Sequence, residues 1–267
     1  MPILKYELDA LLPKKFVDRD ELFELITSSL SWLQNDSNYF DVISIHGIGG
    51  IGKSRFLEEL KEHVAGTSEN IEFIYTTLEV ENDDAFHALL RIRKNISHSC
   101  YLYDYALIAL IDSCTVERIN DDFLNILKEN LITGLLSLAQ EIIPIPTMGI
   151  NSTIETLNLL ISKLKTTYTE RKYWDVIQSL KRIAATSPKK LFSLLPSLLG
   201  CDLDRIARSK NLAIIIDSCS ETKYGSSWID SLLSSVGHGV FILTSRERLH
   251  LQWKNTKHYH MQEIPPL

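Results

Sequence analysis

The sequence is poor in several features that would each have decided its class. Only 4 cysteines occur in 267 residues, Cys100, Cys114, Cys201 and Cys219, and no two form a C-x-x-C pair. Neither a zinc site nor a disulfide framework is therefore suggested, and reduced, mostly buried thiols are expected. Glycine (11) and proline (8) are sparse, and 45% hydrophobic with 23% charged residues is an ordinary balance, which excludes a collagen-like, low-complexity or disordered chain. Positive charge is not in excess. Against 34 Asp and Glu stand 28 Lys and Arg, a formal charge of −6, so no global pull toward nucleic acid or an anionic membrane exists, and neither is expected as a partner. The longest apolar stretch, 131–150, holds Gln140, Glu141, Pro144 and Pro146 and would be a poor membrane helix. The N-terminus has no basic segment leading into an apolar one, so it does not read as a secretory signal, and a cytoplasmic location is expected.

The periodicities point to an α/β fold. Leu22, Leu25, Ile26, Leu30 and Leu33 form a helical stripe behind acidic residues suited to a helix N-terminus. The segment 39–46, rich in β-branched and aromatic residues, reads as a strand that runs into a glycine cluster at 47–52. From Lys53, apolar Leu57, Leu60 and Val64 recur at helical spacing, so a helix leaves the loop. Further strands are read at 71–80, 212–216 and 240–243, the last two apolar throughout, as befits strands of a parallel sheet buried on both faces. Between Asp83 and Asn211 the patterns are almost all helical, with a break near Pro144, Pro146 and Met148-Gly149. That stretch is longer than a plain crossover needs and reads as an inserted subdomain or lid. A final edge strand is expected within 261–267, ended by proline. The expected organisation is 1–82 for an N-terminal segment and the first part of the sheet domain, 83–210 for the helical insertion, and 211–267 for the second part.

One motif carries chemistry. Gly47-Ile-Gly-Gly-Ile-Gly-Lys-Ser54 follows G-x-x-x-x-G-K-[ST] and lies between an expected strand and an expected helix, as a phosphate-binding loop must. The backbone N–H groups of Gly47, Gly49, Gly50, Ile51 and Gly52 are candidates to cradle phosphate oxygens, aided by the helix N-terminus that carries Arg55 in its first turn. Lys53 is suited to reach β- and γ-phosphates, and the Ser54 hydroxyl to ligate Mg²⁺. The apolar strand ending in Asp217 supplies a candidate second metal ligand, and the strand 240–246 delivers Thr244-Ser245-Arg246 to the same sheet edge, with Arg246 a candidate γ-phosphate contact.

Together these segments resemble the STAND class of signal-transduction ATPases, which includes the NB-ARC domains of plant resistance proteins and apoptotic adaptors and their bacterial relatives. Phe16-Val17-Asp18-Arg19-Asp20-Glu21 is similar to that class's Phe-Val-Gly-Arg-Glu segment, which implies adenine-end contacts from Val17 and Arg19. The resemblance implies a P-loop NTPase sheet flanked by helices, an ATP/ADP site with Mg²⁺, catalytic roles for Lys53, Asp217 and Arg246, and nucleotide-controlled self-association or binding of other protein domains. Three positions depart from it. Asp18 stands where relatives have glycine, Ser218 stands where many have a second acid, leaving Glu221 as the nearest substitute, and Lys53 and Asp217 are 164 positions apart, about twice the usual spacing.

Two other functions fit the same loop: a nucleotide or small-molecule kinase with the insertion as a substrate lid, and an interaction module that holds ADP without hydrolysing it. Guanine specificity is disfavoured, because no Asn-Lys-x-Asp or Thr-Lys-x-Asp segment follows the sensing strand. His258 and His260 read as a half-exposed strand face in preference to half a metal site. Trp228, Trp253 and the leucines of 191–199 read as core, and Lys181-Arg182 and Lys189-Lys190 as solvated helix faces.

Overall fold

A computed structural model describes residues 19–65, 71–78, 85–115, 174–219, 227–252 and 257–260. Its elements in chain order are α1 (Asp20–Asn35), β1 (Phe40–His46), α2 (Lys53–Ala65), β2 (Ile71–Thr77), α3 (Ala85–Lys94), α4 (Tyr101–Thr115), α5 (Trp174–Thr186), α6 (Pro188–Ala207), β3 (Asn211–Asp217), α7 (Ser227–Leu233), β4 (Gly239–Ser245) and β5 (Lys257–His260). The strands form one sheet in the order β2-β3-β4-β1-β5, and every pairing is parallel. This is an α/β architecture with helices on both faces of the sheet.

The alternation of each strand allocates the two faces. Ile43 and Ile45 of β1, Ala213 and Ile215 of β3, and Val240 and Ile242 of β4 pack with Leu22, Ile26, Leu30 and Leu33 of α1 and Phe56, Leu57 and Leu60 of α2. The intervening residues Val42, Ile74, Leu212, Ile214, Ile216, Phe241 and Leu243 pack with α3 to α7 on the other face. The apolar runs of β3 and β4 are buried along their length, as their composition requires. Leu191, Leu195, Leu199 and Trp228 belong to the second core. Thus the described helices of 83–210 share one core with the sheet and form a layer of it. The helical patterns read between 116 and 173, the strand expected within 261–267, and Trp253 lie outside the described residues. The observed edge strand, β5, precedes that expected position and pairs with β1 over Ile43–His46.

Polar contacts fix the layers. Asp41 on β1 is buried, and its Oδ2 accepts hydrogen bonds from Ser29 of α1 at 2.7 Å, Tyr39 at 3.0 Å and Lys257 of β5 at 2.5 Å, so one carboxylate holds three elements. Asp202 of α6 caps α4 by accepting from the N–H groups of Leu102 and Tyr103 at 2.9 and 3.0 Å. Of the cysteines with described side chains, Cys100 and Cys219 are buried and Cys201 is exposed, and all three are free thiols. No helix among the described residues is long and apolar enough to cross a membrane.

Candidate functional site

The chain leaves the C-terminal end of β1 through Gly47, whose N–H donates to the Ser245 carbonyl at the end of β4 at 3.3 Å. The loop then turns through Gly50 (φ 80°) and Gly52 (φ 95°), a left-handed conformation that side chains oppose, and α2 starts with the Phe56 N–H on the Gly52 carbonyl at 2.9 Å. The first turn of α2 thus points its N–H groups at the sheet edge. Lys53 folds back over the loop, its ammonium donating to the Gly47 and Ile48 carbonyls at 2.5 and 2.8 Å. Burial pushes the Lys53 pKa down, Asp217 opposes that shift, and Arg246 adds to it.

Gly49, Gly50, Gly52, Lys53, Ser54, Arg55, Asp217, Ser218, Ser245 and Arg246 line one cleft of about 310 Å³. The motif read at 47–54, the acid ending β3 and the arginine following β4 therefore converge. Gly47 joins them through the Lys53 contact, while Ile51 packs on the core beneath the loop. Arg19 is buried at the start of α1, only 5% exposed, and is not among the residues lining the cleft. Val17 and Glu221 lie outside the described residues. His258 and His260 fall on β5, which among the described strands pairs with β1.

Asp217 does not sit beside β1, because β4 runs between β1 and β3. The connection is made by Thr244 of β4, which shares the α2-bearing face with Asp217 and is fully buried. Its hydroxyl donates to Asp217 Oδ1 and accepts from the Ser218 N–H at 3.0 Å. Ser218 has a φ of 64°, unusual for a residue other than glycine, and this turns the chain into the cleft directly after the strand. On the other flank, Thr77 of β2 pairs with Asp217. Burial raises the Tyr75 pKa, the Thr77 hydroxyl opposes that, and the Asp217 charge adds to it. Sequence reasoning singled out Thr244 only as part of a motif. Register places the two on one face: Ile215 lies opposite Ile242, and the next residues of that parity are Asp217 and Thr244.

Among the described residues no cluster of three or more His, Cys, Asp or Glu side chains could hold a metal by itself. The cleft instead offers one carboxylate, Asp217, and one hydroxyl, Ser54, beside backbone N–H donors and the cations Lys53, Arg55 and Arg246. That donor set fits a divalent cation that arrives with phosphate oxygens, since Mg²⁺ is held by one or two protein ligands plus substrate phosphates. A larger cavity of about 840 Å³ opens at the opposite sheet edge, near Glu72, Arg208, Lys210 and His238. There Arg208 pairs with Asp204 at 2.8 Å and Lys210 with Glu72 at 3.7 Å, so its charges are answered within the chain, and it has no glycine loop. In comparisons with known proteins, no family model, curated protein or solved structure matches the sequence.

Proposed function

We propose that the chain binds ATP and ADP with Mg²⁺ in the 310 Å³ cleft and acts as a slowly hydrolysing, STAND-type switch whose nucleotide state governs self-association or binding of another protein domain. The observation that carries the reading is the convergence of the 47–54 loop, Asp217 and Arg246 at the C-terminal edge of a parallel sheet, where open α/β sheets bind ligands. In this reading the loop N–H groups and the α2 N-terminus bind phosphate oxygens. Lys53 exchanges its bonds to the Gly47 and Ile48 carbonyls for β- and γ-phosphate oxygens, and Arg246 approaches the terminal phosphate. Ser54 and Asp217 are the residues that would hold Mg²⁺, which supplies neutralisation of phosphate charge.

Slow turnover follows from position 218. A hydroxyl there cannot take a proton from attacking water as a carboxylate would, and its backbone N–H is engaged by Thr244. The same observation favours a second reading, a module that holds nucleotide without hydrolysing it. The described helices α3 to α6 pack on the sheet face opposite α2, so nothing among them supports a lid over an acceptor.

The test is denaturing extraction and chromatography of nucleotide that copurifies with the protein, paired with titration of ATP and ADP in Mg²⁺. Adenine nucleotide recovered from the wild type and lost in Lys53→Ala is the expected result. A folded wild type that binds none under either condition overturns the reading. Single-turnover hydrolysis then separates the two: slow ADP formation marks the switch, and none marks the holding module.

A further inference from the structure

A hydroxyl has one proton to give, and the Thr244 hydroxyl has no choice about where it goes. The Ser218 N–H can only donate, so it occupies a lone pair of Thr244 Oγ1, and the Thr244 proton is directed at Asp217 Oδ1. All three groups are held. Thr244 is fully buried on the central strand β4, Asp217 is 2% exposed, and Ser218 sits in a left-handed turn with its N–H on Thr244. Oδ1 therefore arrives in the cleft with a charge-assisted bond already made, and the Tyr75 hydroxyl is a further hydrogen-bonding neighbour of the same carboxylate.

We propose that Thr244 sets which divalent cation the cleft accepts, by restraining Asp217 to act as a one-oxygen ligand and so favouring Mg²⁺ over Ca²⁺. Ca²⁺ gathers six to eight oxygens and readily takes both oxygens of a carboxylate, whereas Mg²⁺ keeps several waters and needs single oxygens in octahedral array. A carboxylate with one oxygen already hydrogen-bonded suits the second ion better than the first. Thr244 is here a positioning residue acting through Asp217. The inference rests on the nucleotide reading above.

The experiment measures binding of a fluorescent ATP analogue to the whole chain in EDTA, in Mg²⁺ and in Ca²⁺. The wild type is expected to bind at least about tenfold more tightly with Mg²⁺ than with Ca²⁺. Thr244→Val, which keeps the shape and removes the hydroxyl, is expected to bring the two within about threefold. Thr244→Ser is expected to restore the wild-type ratio, which a purely structural role for the side chain would not produce. A folded Thr244→Val with the wild-type ratio overturns the inference. So does a wild type on which Ca²⁺ serves as well as Mg²⁺, a measurement that needs no variant. A wild type that binds no nucleotide in any of the three conditions overturns the underlying reading instead.

Discussion

Arg93 and Asp104 join α3 to α4 through a buried, two-pronged ion pair, and removing one partner should be far more damaging than removing both. Arg93 Nε and one terminal nitrogen each donate to a separate Asp104 oxygen at 2.7 Å, the other terminal nitrogen donates to the Ile96 carbonyl at 3.2 Å, and the residues are 6% and 5% exposed. Asp104→Ala deprives two guanidinium N–H groups of their carboxylate at a site that water barely reaches, which costs about 3–5 kcal/mol. For a domain of this size that corresponds to a fall in Tm of about 6–20 °C. The double variant Arg93→Met/Asp104→Leu removes both charges and fills the space with carbon, and is expected to lose no more than about 1–2 kcal/mol. Urea unfolding followed by circular dichroism, with the two single variants and the double variant, closes the cycle. The reasoning fails if Asp104→Ala costs less than about 1 kcal/mol, or if the double variant costs the sum of the singles.

Three further outcomes follow from particular residues. At Ser218, in a left-handed conformation, Ser218→Gly is expected to be close to neutral because relief of strain offsets backbone entropy, while Ser218→Val loses about 1–2 kcal/mol in the same unfolding assay; equal losses would refute the strain argument. Gly200 in α6 faces α7 so closely that an added Cβ would collide with the Leu232 carbonyl and lie 2.8 Å from Ser235 Cβ. Gly200→Ala should therefore destabilise by about 1–3 kcal/mol despite a helix-propensity gain of about 1 kcal/mol, and a Tm equal to or above the wild type would contradict the close approach. Burial pushes the Asp202 carboxyl from 3.8 up to about 6, against the N–H groups of Tyr103 and Leu102 and the charge of Arg205. The folded state then binds the proton more tightly than the unfolded one, so this contribution to stability is present below pH 4 and is lost as pH rises through 6. Asp202→Asn, which keeps a capping oxygen, should lessen the fall in stability between pH 4 and 7 by up to about 3 kcal/mol relative to wild type, and an unaltered pH profile would count against it.

Much of the architecture was legible because it depends on short-range pattern. The helical stripe of Leu22, Ile26, Leu30 and Leu33, the apolar runs of β3 and β4, and the glycines before Lys53 each declare a local conformation that the surrounding fold had only to accept. β5 was legible only in the strand reading of His258 and His260, since its four residues Lys257–His260 carry no apolar run and owe their position to pairing with β1 and to the Lys257–Asp41 contact. The described helices after Asp83, α3 to α6, were legible as helices but not as a layer, because a hydrophobic stripe states that a helix is covered and not by what.

What the sequence determined by itself is the loop 47–54, with its left-handed glycines and its lysine at the head of a helix, because that chemistry is contained in eight consecutive residues. What only the tertiary structure decided is the company that loop keeps. Strand order placed β4 between β1 and β3, so that Asp217 is tied not to a neighbour in sequence but to Thr244, 27 positions away, and Arg246 comes to the loop from the end of that same strand. Hydrogen bonds across a parallel sheet join residues by register, and register is set by the packing of whole strands between two helical layers, which no local window of sequence contains.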